Sequence, residues 1–168
     1  LRHYGASDII IIDQNDFRLE LARNFGASMT INAKREVIHD VLKCHDNLAP
    51  IDITVECVGS SPTAHQSIEF VKNKGTVLWV GNAAQFVTID MQQVVTREVI
   101  IKSTYAFTPS DFELAMKLLA NKQIDISSLV TKIVPLSQGA DEFEKLSHGG
   151  NTDVKVLINS QNEMEMLS

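Results

Sequence analysis

Residues Ile9-Ile10-Ile11-Ile12-Asp13-Gln14-Asn15-Asp16-Phe17-Arg18 decide how the rest of the 168-residue chain is read. Four consecutive isoleucines cannot alternate between a wet and a dry face, so the run predicts a strand buried on both faces, as in a parallel sheet. The apolar run stops at an acid, Asp13. A helical pattern follows at once, with Phe17, Leu21 and Phe25 spaced i, i+4, i+8 and Gly26 as the stop. A carboxylate at the end of a buried parallel strand suits two roles. It can accept from both hydroxyls of an adenosine ribose while repelling a 2′-phosphate, or it can cap the helix that follows. The stretch alone fits both.

Outward from this stretch, strands and helices alternate. Ser7 to Asp13 reads as a strand and Asp16 to Phe25 as a helix. Met29 to Ala33 is a short strand, and Arg35 to His45 a helix with Val37, Ile38, Val41 and Leu42 on one face. Ile51 to Gly59 is the next strand, Pro62 opens a helix at its first turn, and Thr76 to Gly81 is a strand apolar on both faces. Phe86 to Asp90 reads as a short strand, Met91 to Thr96 as a helical turn and Val99 to Tyr105 as a strand. Phe112, Met116 and Leu119 give the helix after Pro109 a buried stripe. Ala140, Phe143 and Leu146 do the same for Ser137 to Leu146. Gly149-Gly150 turn the chain into a last strand, Val154 to Ile158, and 161–168 reads as a tail. Such alternation implies a doubly wound α/β fold with a parallel sheet, here one Rossmann-like domain over 1–160. Leu1 to Ala6 reads as the last turn of a helix closed by Gly5, so further chain is expected before Leu1; an Asp13 that takes ribose places the glycine-rich turn, after a first strand, roughly 20 residues earlier in that preceding chain.

A net charge of −6 with no basic run argues against nucleic acid or an anionic membrane as partner. Two cysteines, Cys44 and Cys57, make no disulfide or metal framework and point to a reducing cytoplasm. The five histidines show no ligand spacing, and no G-x-S-x-G occurs.

In doubly wound sheets, ligands bind beyond the carboxyl ends of the strands. Here those ends are Asp13, Cys57-Val58-Gly59, Val80-Gly81 and Thr104-Tyr105-Ala106. Gly59 and Gly81 follow apolar runs directly, where glycine lets backbone approach a flat ligand, although either also serves as an ordinary turn glycine. Cys57 reads as inert packing in a buried strand. Glu56, an acid in the same apolar strand, is the more unusual residue. No G-x-G-x-x-G or phosphate-binding loop is present.

These features together resemble the C-terminal cofactor domain of the zinc-type medium-chain alcohol and polyol dehydrogenase family (the sorbitol dehydrogenase-like members). The carriers are Gly5-Ala6-Ser7, Ile12 to Arg18, Ala22 to Ala27, Val55-Glu56-Cys57-Val58-Gly59, Lys74-Gly75-Thr76 to Gly81, Ile124-Asp125 through Thr131, Pro135-Leu136 with Phe143-Glu144, and Lys155 to Ile158. The resemblance implies NAD binding. Asp13 would take the ribose hydroxyls, with Arg18 beside the adenosine end and Cys57, Val58 and Gly59 lining the groove. The Val80 and Thr104 carbonyls with the Ala106 N–H would hold the carboxamide next to Gly81, and Lys155 would lie near the pyrophosphate. It implies a small alcohol or polyol substrate, zinc bound by residues outside this segment, and a homo-oligomer, dimer or tetramer, paired along Val99 to Ser103. A non-catalytic dinucleotide-binding module and another doubly wound domain, such as a methyltransferase, are the alternatives.

Overall fold

A computed structural model describes residues 1–45, 48–148 and 152–160. The turn expected at Gly149-Gly150 and the tail 161–168 lie outside the described residues. The elements are β1 (Ile10–Asp13), α1 (Asp16–Asn24), β2 (Met29–Asn32), α2 (Ile38–Lys43), β3 (Ile53–Glu56), α3 (Ser61–Phe70), β4 (Thr76–Trp79), α4 (Met91–Thr96), β5 (Ile100–Ser103), α5 (Pro109–Ala120), β6 (Val130–Pro135), α6 (Gly139–His148) and β7 (Lys155–Asn159). They fall in two compact units, Leu1–Cys44 with Glu113–Ser168, and His45–Phe112. Every strand pairing is parallel. Parallel strands alternating with helices make this a Rossmann-like α/β fold. Hydrogen bonds join the strands as β1-β2, β3-β4-β5 and β6-β7, in place of a single ladder.

In the first unit, β1 lies beside β2 from Ile10↔Met29 to Asp13↔Asn32. Among the described residues, no strand pairs with the other edge of β1. Of the four isoleucines only Ile9 is buried, and Ile12 is 39% exposed, so the expected double-sided burial is corrected. Asn15 begins α1 by accepting from the N–H groups of Phe17 (2.9 Å) and Arg18 (3.3 Å). Leu19 and Leu21 face inward. Phe25 is the C-cap and stands exposed, because the helix ends one residue before it. The opening turn, Arg2–Tyr4, closes at Gly5 with φ 84°. The Arg2 guanidinium donates to the carbonyls of Ala6, Ser7 and Gly26, tying this turn to the end of α1.

β6 and β7 pair with one register shift between Val130 and Lys132. The inward face of α6 is Gly139 and Glu142. Phe143 is 69% exposed, which corrects the expected Ala140–Phe143–Leu146 face. The buried Glu142 carboxylate explains the rotation. Its Oε1 lies 2.7 Å from both Lys132 on β6 and Lys145 on α6. The α5 stripe is corrected as well. Phe112 and Met116 are exposed, Leu118 and Leu119 are half-buried, and no residue of that helix is fully buried.

In the second unit, the register Glu56↔Trp79↔Ser103 aligns the carboxyl ends of β3, β4 and β5. Ser60 and Thr63 form a reciprocal capping box, with Pro62 in the first turn of α3. Ile68 and Val71 from α3 and its C-cap pack on Val77 and Val99, with Trp79, Ile89, Val94 and Ile101 around them. Burial of each large side chain is worth about 1.5–3 kcal/mol. The opposite face of this sheet leaves Ile53, Val55 and Ile100 exposed. Arg97 clasps the end of α3. It donates to the carbonyls of Ile68 (2.9 Å), Glu69 (3.3 Å) and Val71 and to Asn73 Oδ1 (3.1 Å). Phe86 to Asp90 forms no strand. Its Thr88 N–H bonds the Ser61 hydroxyl at 2.9 Å, and Asp90 caps α4.

Candidate cofactor site

Asp13 ends β1 with its side chain 30% exposed. Its Oδ1 accepts from the Asn15 N–H at 2.8 Å, shaping the turn before α1. Its Oδ2 lies 3.8 Å from the Arg18 guanidinium. The helix cap is therefore Asn15, and Asp13 keeps one oxygen outside its own turn. Next to it, at the end of β2, the Asn32 N–H donates to Glu36 at 2.7 Å and the Asn32 amide donates to Asp16 at 2.7 Å. Asp16 is also paired with Arg35. Arg18 and Arg35 are thus both engaged by acids at this strand end. Lys155 opens β7 and is exposed. Among the described residues, no hydrogen bond or ion pair joins it to Asp13 or Arg18.

The second unit carries the remaining candidates in backbone turns. Glu56, buried at the end of β3, accepts at Oε1 from the N–H groups of Val58 (2.8 Å) and Gly59 (2.7 Å). The Glu56 carbonyl accepts from the Val80 and Gly81 N–H groups at 2.8 and 3.0 Å. Gly59 has φ 81°, which favours glycine. A Cβ there would lie 2.5 Å from the Asn82 nitrogen, and one on Gly81 would lie 2.5 Å from the Val58 carbonyl carbon. The two glycines are therefore required by each other's backbone, beyond any turn preference. Cys57 follows the strand and is exposed, correcting its reading as buried packing. Desolvation around the thiol, reinforced by the Glu56 charge, pushes its pKa up, so it stays a protonated, weak nucleophile.

At the end of β5 the Thr104 N–H bonds the Trp79 carbonyl at 3.1 Å, bringing the exits of β4 and β5 together. Two residues on, Ala106 holds φ 56°, a left-handed conformation unusual for a residue with a Cβ. Among the described residues its N–H has no hydrogen-bond partner. Strain of this kind, of order 1–3 kcal/mol, persists where surrounding structure imposes it. The strain at Ala106 and the cap at Asn15 are the features that sequence reasoning missed. The preference for Asn immediately before a helix would have found the second.

Residues 1–121 match the family model for zinc-binding dehydrogenases. The chain belongs to the zinc-binding dehydrogenase family. Among zinc-binding dehydrogenase relatives, it is 31% identical over 156 residues to sorbitol dehydrogenase of Gallus gallus, covering 92% of this chain and 43% of that protein. It is 31% identical over 160 residues to L-threonine 3-dehydrogenase of Shewanella baltica (strain OS155), covering 94% of this chain and 46% of the relative. The alcohol dehydrogenase of Thermus sp. ATN1 superposes with a TM-score of 0.83 at 25% identity, covering 94% of this chain and 45% of that one. The chain thus spans a little under half the length of these relatives. Membership of this family decides against a methyltransferase. Among the described residues of this zinc-binding dehydrogenase segment, no group of three His, Cys, Asp or Glu is placed to hold a metal ion. No helix among them is long and apolar enough to cross a membrane.

Proposed function

We propose that this segment is the cofactor-binding part of an NAD-dependent dehydrogenase that moves a hydride between a secondary alcohol, a polyol or small sugar alcohol, and NAD. The observation that carries the proposal is Asp13. It is a partly exposed carboxylate at the end of a parallel strand, with one oxygen fixed by its own turn and the other outside it. Such a group accepts from ribose hydroxyls and repels a 2′-phosphate. Arg18, 3.8 Å away, flanks the adenosine end. Gly59 and Gly81 leave no side chain between the turns that would line the cofactor, with Cys57 and Val58 beside them. The carbonyls of Val80 and Thr104 and the unpaired Ala106 N–H supply the acceptors and the donor that a carboxamide needs. NAD, when bound, supplies the ring that takes hydride from an alcohol carbon.

Lys155 is assigned to the pyrophosphate from the family resemblance, which places a basic residue there. The described residues do not fit zinc, so no step here runs through it. In this proposal its ligands and the substrate pocket belong to the remainder of a longer chain, in keeping with the partial coverage of the relatives. The proposed protein is a homo-oligomer whose copies pair along β5, the edge of its sheet, in a reducing cytoplasm that keeps Cys44 and Cys57 as thiols.

The test is calorimetric titration of the full chain with NAD and NADP. NAD should bind more tightly than NADP, and Asp13→Ala should weaken NAD by about tenfold or more through loss of charge-assisted hydrogen bonds. Unchanged NAD affinity in that variant would remove the ribose assignment.

A further inference from the structure

Resting on the dinucleotide reading above, we infer that Glu56 is a positioning residue for the nicotinamide end of the cofactor, its buried carboxylate fixing the backbone turn that follows β3 while packed against the turn that follows β4. Glu56 is 5% exposed. One residue grips both turns. Its carboxylate Oε1 takes the Val58 and Gly59 N–H groups, and its backbone carbonyl takes those of Val80 and Gly81. Its Oε2 lies 2.5 Å from where a Cβ on Gly81 would stand, so the carboxylate is wedged against the second turn while hydrogen-bonded to the first. The Ala84 N–H closes the arrangement on the Gly59 carbonyl at 2.9 Å.

An apolar side chain would serve the core at this position at no electrostatic cost. A buried carboxylate is costly unless donors meet its charge, and the donors that meet it here are backbone groups of the turn assigned to the cofactor. Charge-assisted bonds of this kind are about twice as strong as neutral ones. They hold the Val58–Gly59 peptide groups in one orientation before any ligand arrives, which lowers the ordering cost of binding. The Glu56 charge is also felt at the neighbouring Cys57 thiol, which it raises. Glu56 itself needs no contact with the cofactor; its side chain acts through Val58 and Gly59, which it holds.

The experiment compares Glu56→Gln with Glu56→Met in the full chain, side chains of similar length of which only Gln keeps an acceptor oxygen. Each variant is titrated with NAD and with ADP, which carries only the adenosine end held by Asp13. Glu56→Met is expected to weaken NAD by about tenfold, with two N–H groups left unmet, and to leave ADP unchanged. Glu56→Gln is expected to stay within about threefold of the parent for both ligands. Equal NAD affinity in the Met and Gln variants would overturn the inference. So would parallel losses of NAD and ADP, which would make Glu56 a general scaffold residue. An unaltered protein that binds NAD keeps the reading above standing in either case; one that binds neither ligand removes both.

Discussion

The strand end proposed for the ribose and the strand ends proposed for the nicotinamide are built in opposite ways. At the end of β1 the proposed group is a side chain, Asp13, held by a single backbone N–H and flanked by other charged side chains at the surface. At the ends of β3 and β4 the proposed groups are backbone, and a side chain, Glu56, is buried behind them. The first design tolerates change around it, because a charge on a turn needs little support. The second requires two chain segments to interlock at glycine positions, so small changes are transmitted directly to the backbone.

The strongest test of that difference is a pair of glycine substitutions. Gly81→Ala puts a Cβ into the Gly59 backbone and the Glu56 carboxylate and should cost about 3 kcal/mol in urea denaturation. Gly5→Ala, at φ 84° but with nothing within 4 Å, should cost only about 1 kcal/mol. Equal costs would erase the contrast. A smaller effect is expected from Asn15→Ala, which removes the α1 cap and should lower stability by about 1 kcal/mol in the same assay. NAD affinity should change little in that variant, because Asp13 is retained. A large affinity loss would show that the β1 end is as tightly coupled as the other.

The mildest test is acid titration. The hydrogen bond from Lys132, and then that from Lys145, hold the Glu142 carboxyl below its ordinary range. A depressed folded-state value contributes stability above the unfolded value, about 4.3, that is lost as pH falls through the lower folded one. Lys132→Met should therefore move the acid-unfolding midpoint, followed by circular dichroism, upward in pH. No movement would mean that Lys145 alone satisfies Glu142.

Much of the fold was legible because its signals are local. The isoleucine run, Gly26, Pro62 and the acid at Asp13 each act on neighbouring residues, and the strands and most of the helices appear where those signals place them. Helix faces were less legible. Phe112, Met116 and Phe143 have the spacing of a buried stripe, yet a stripe is buried only if something covers it. In α6 a tertiary ion pair, Glu142 with Lys132, selects a different face. The candidate site divides in the same way. Asp13 could be read from its place after an apolar run. Glu56 could be singled out as either a buried, hydrogen-bonded acid or one facing a crevice; that choice, like the interlock of Gly59 with Gly81, depends on segments brought together by the sheet.

Arg97 illustrates one outcome of such long-range contacts. Its guanidinium spans from the C-cap of α4 to the last carbonyls of α3 and that of its C-cap, Val71. The ends of the two helices are therefore tied to each other, and loosening either means loosening both.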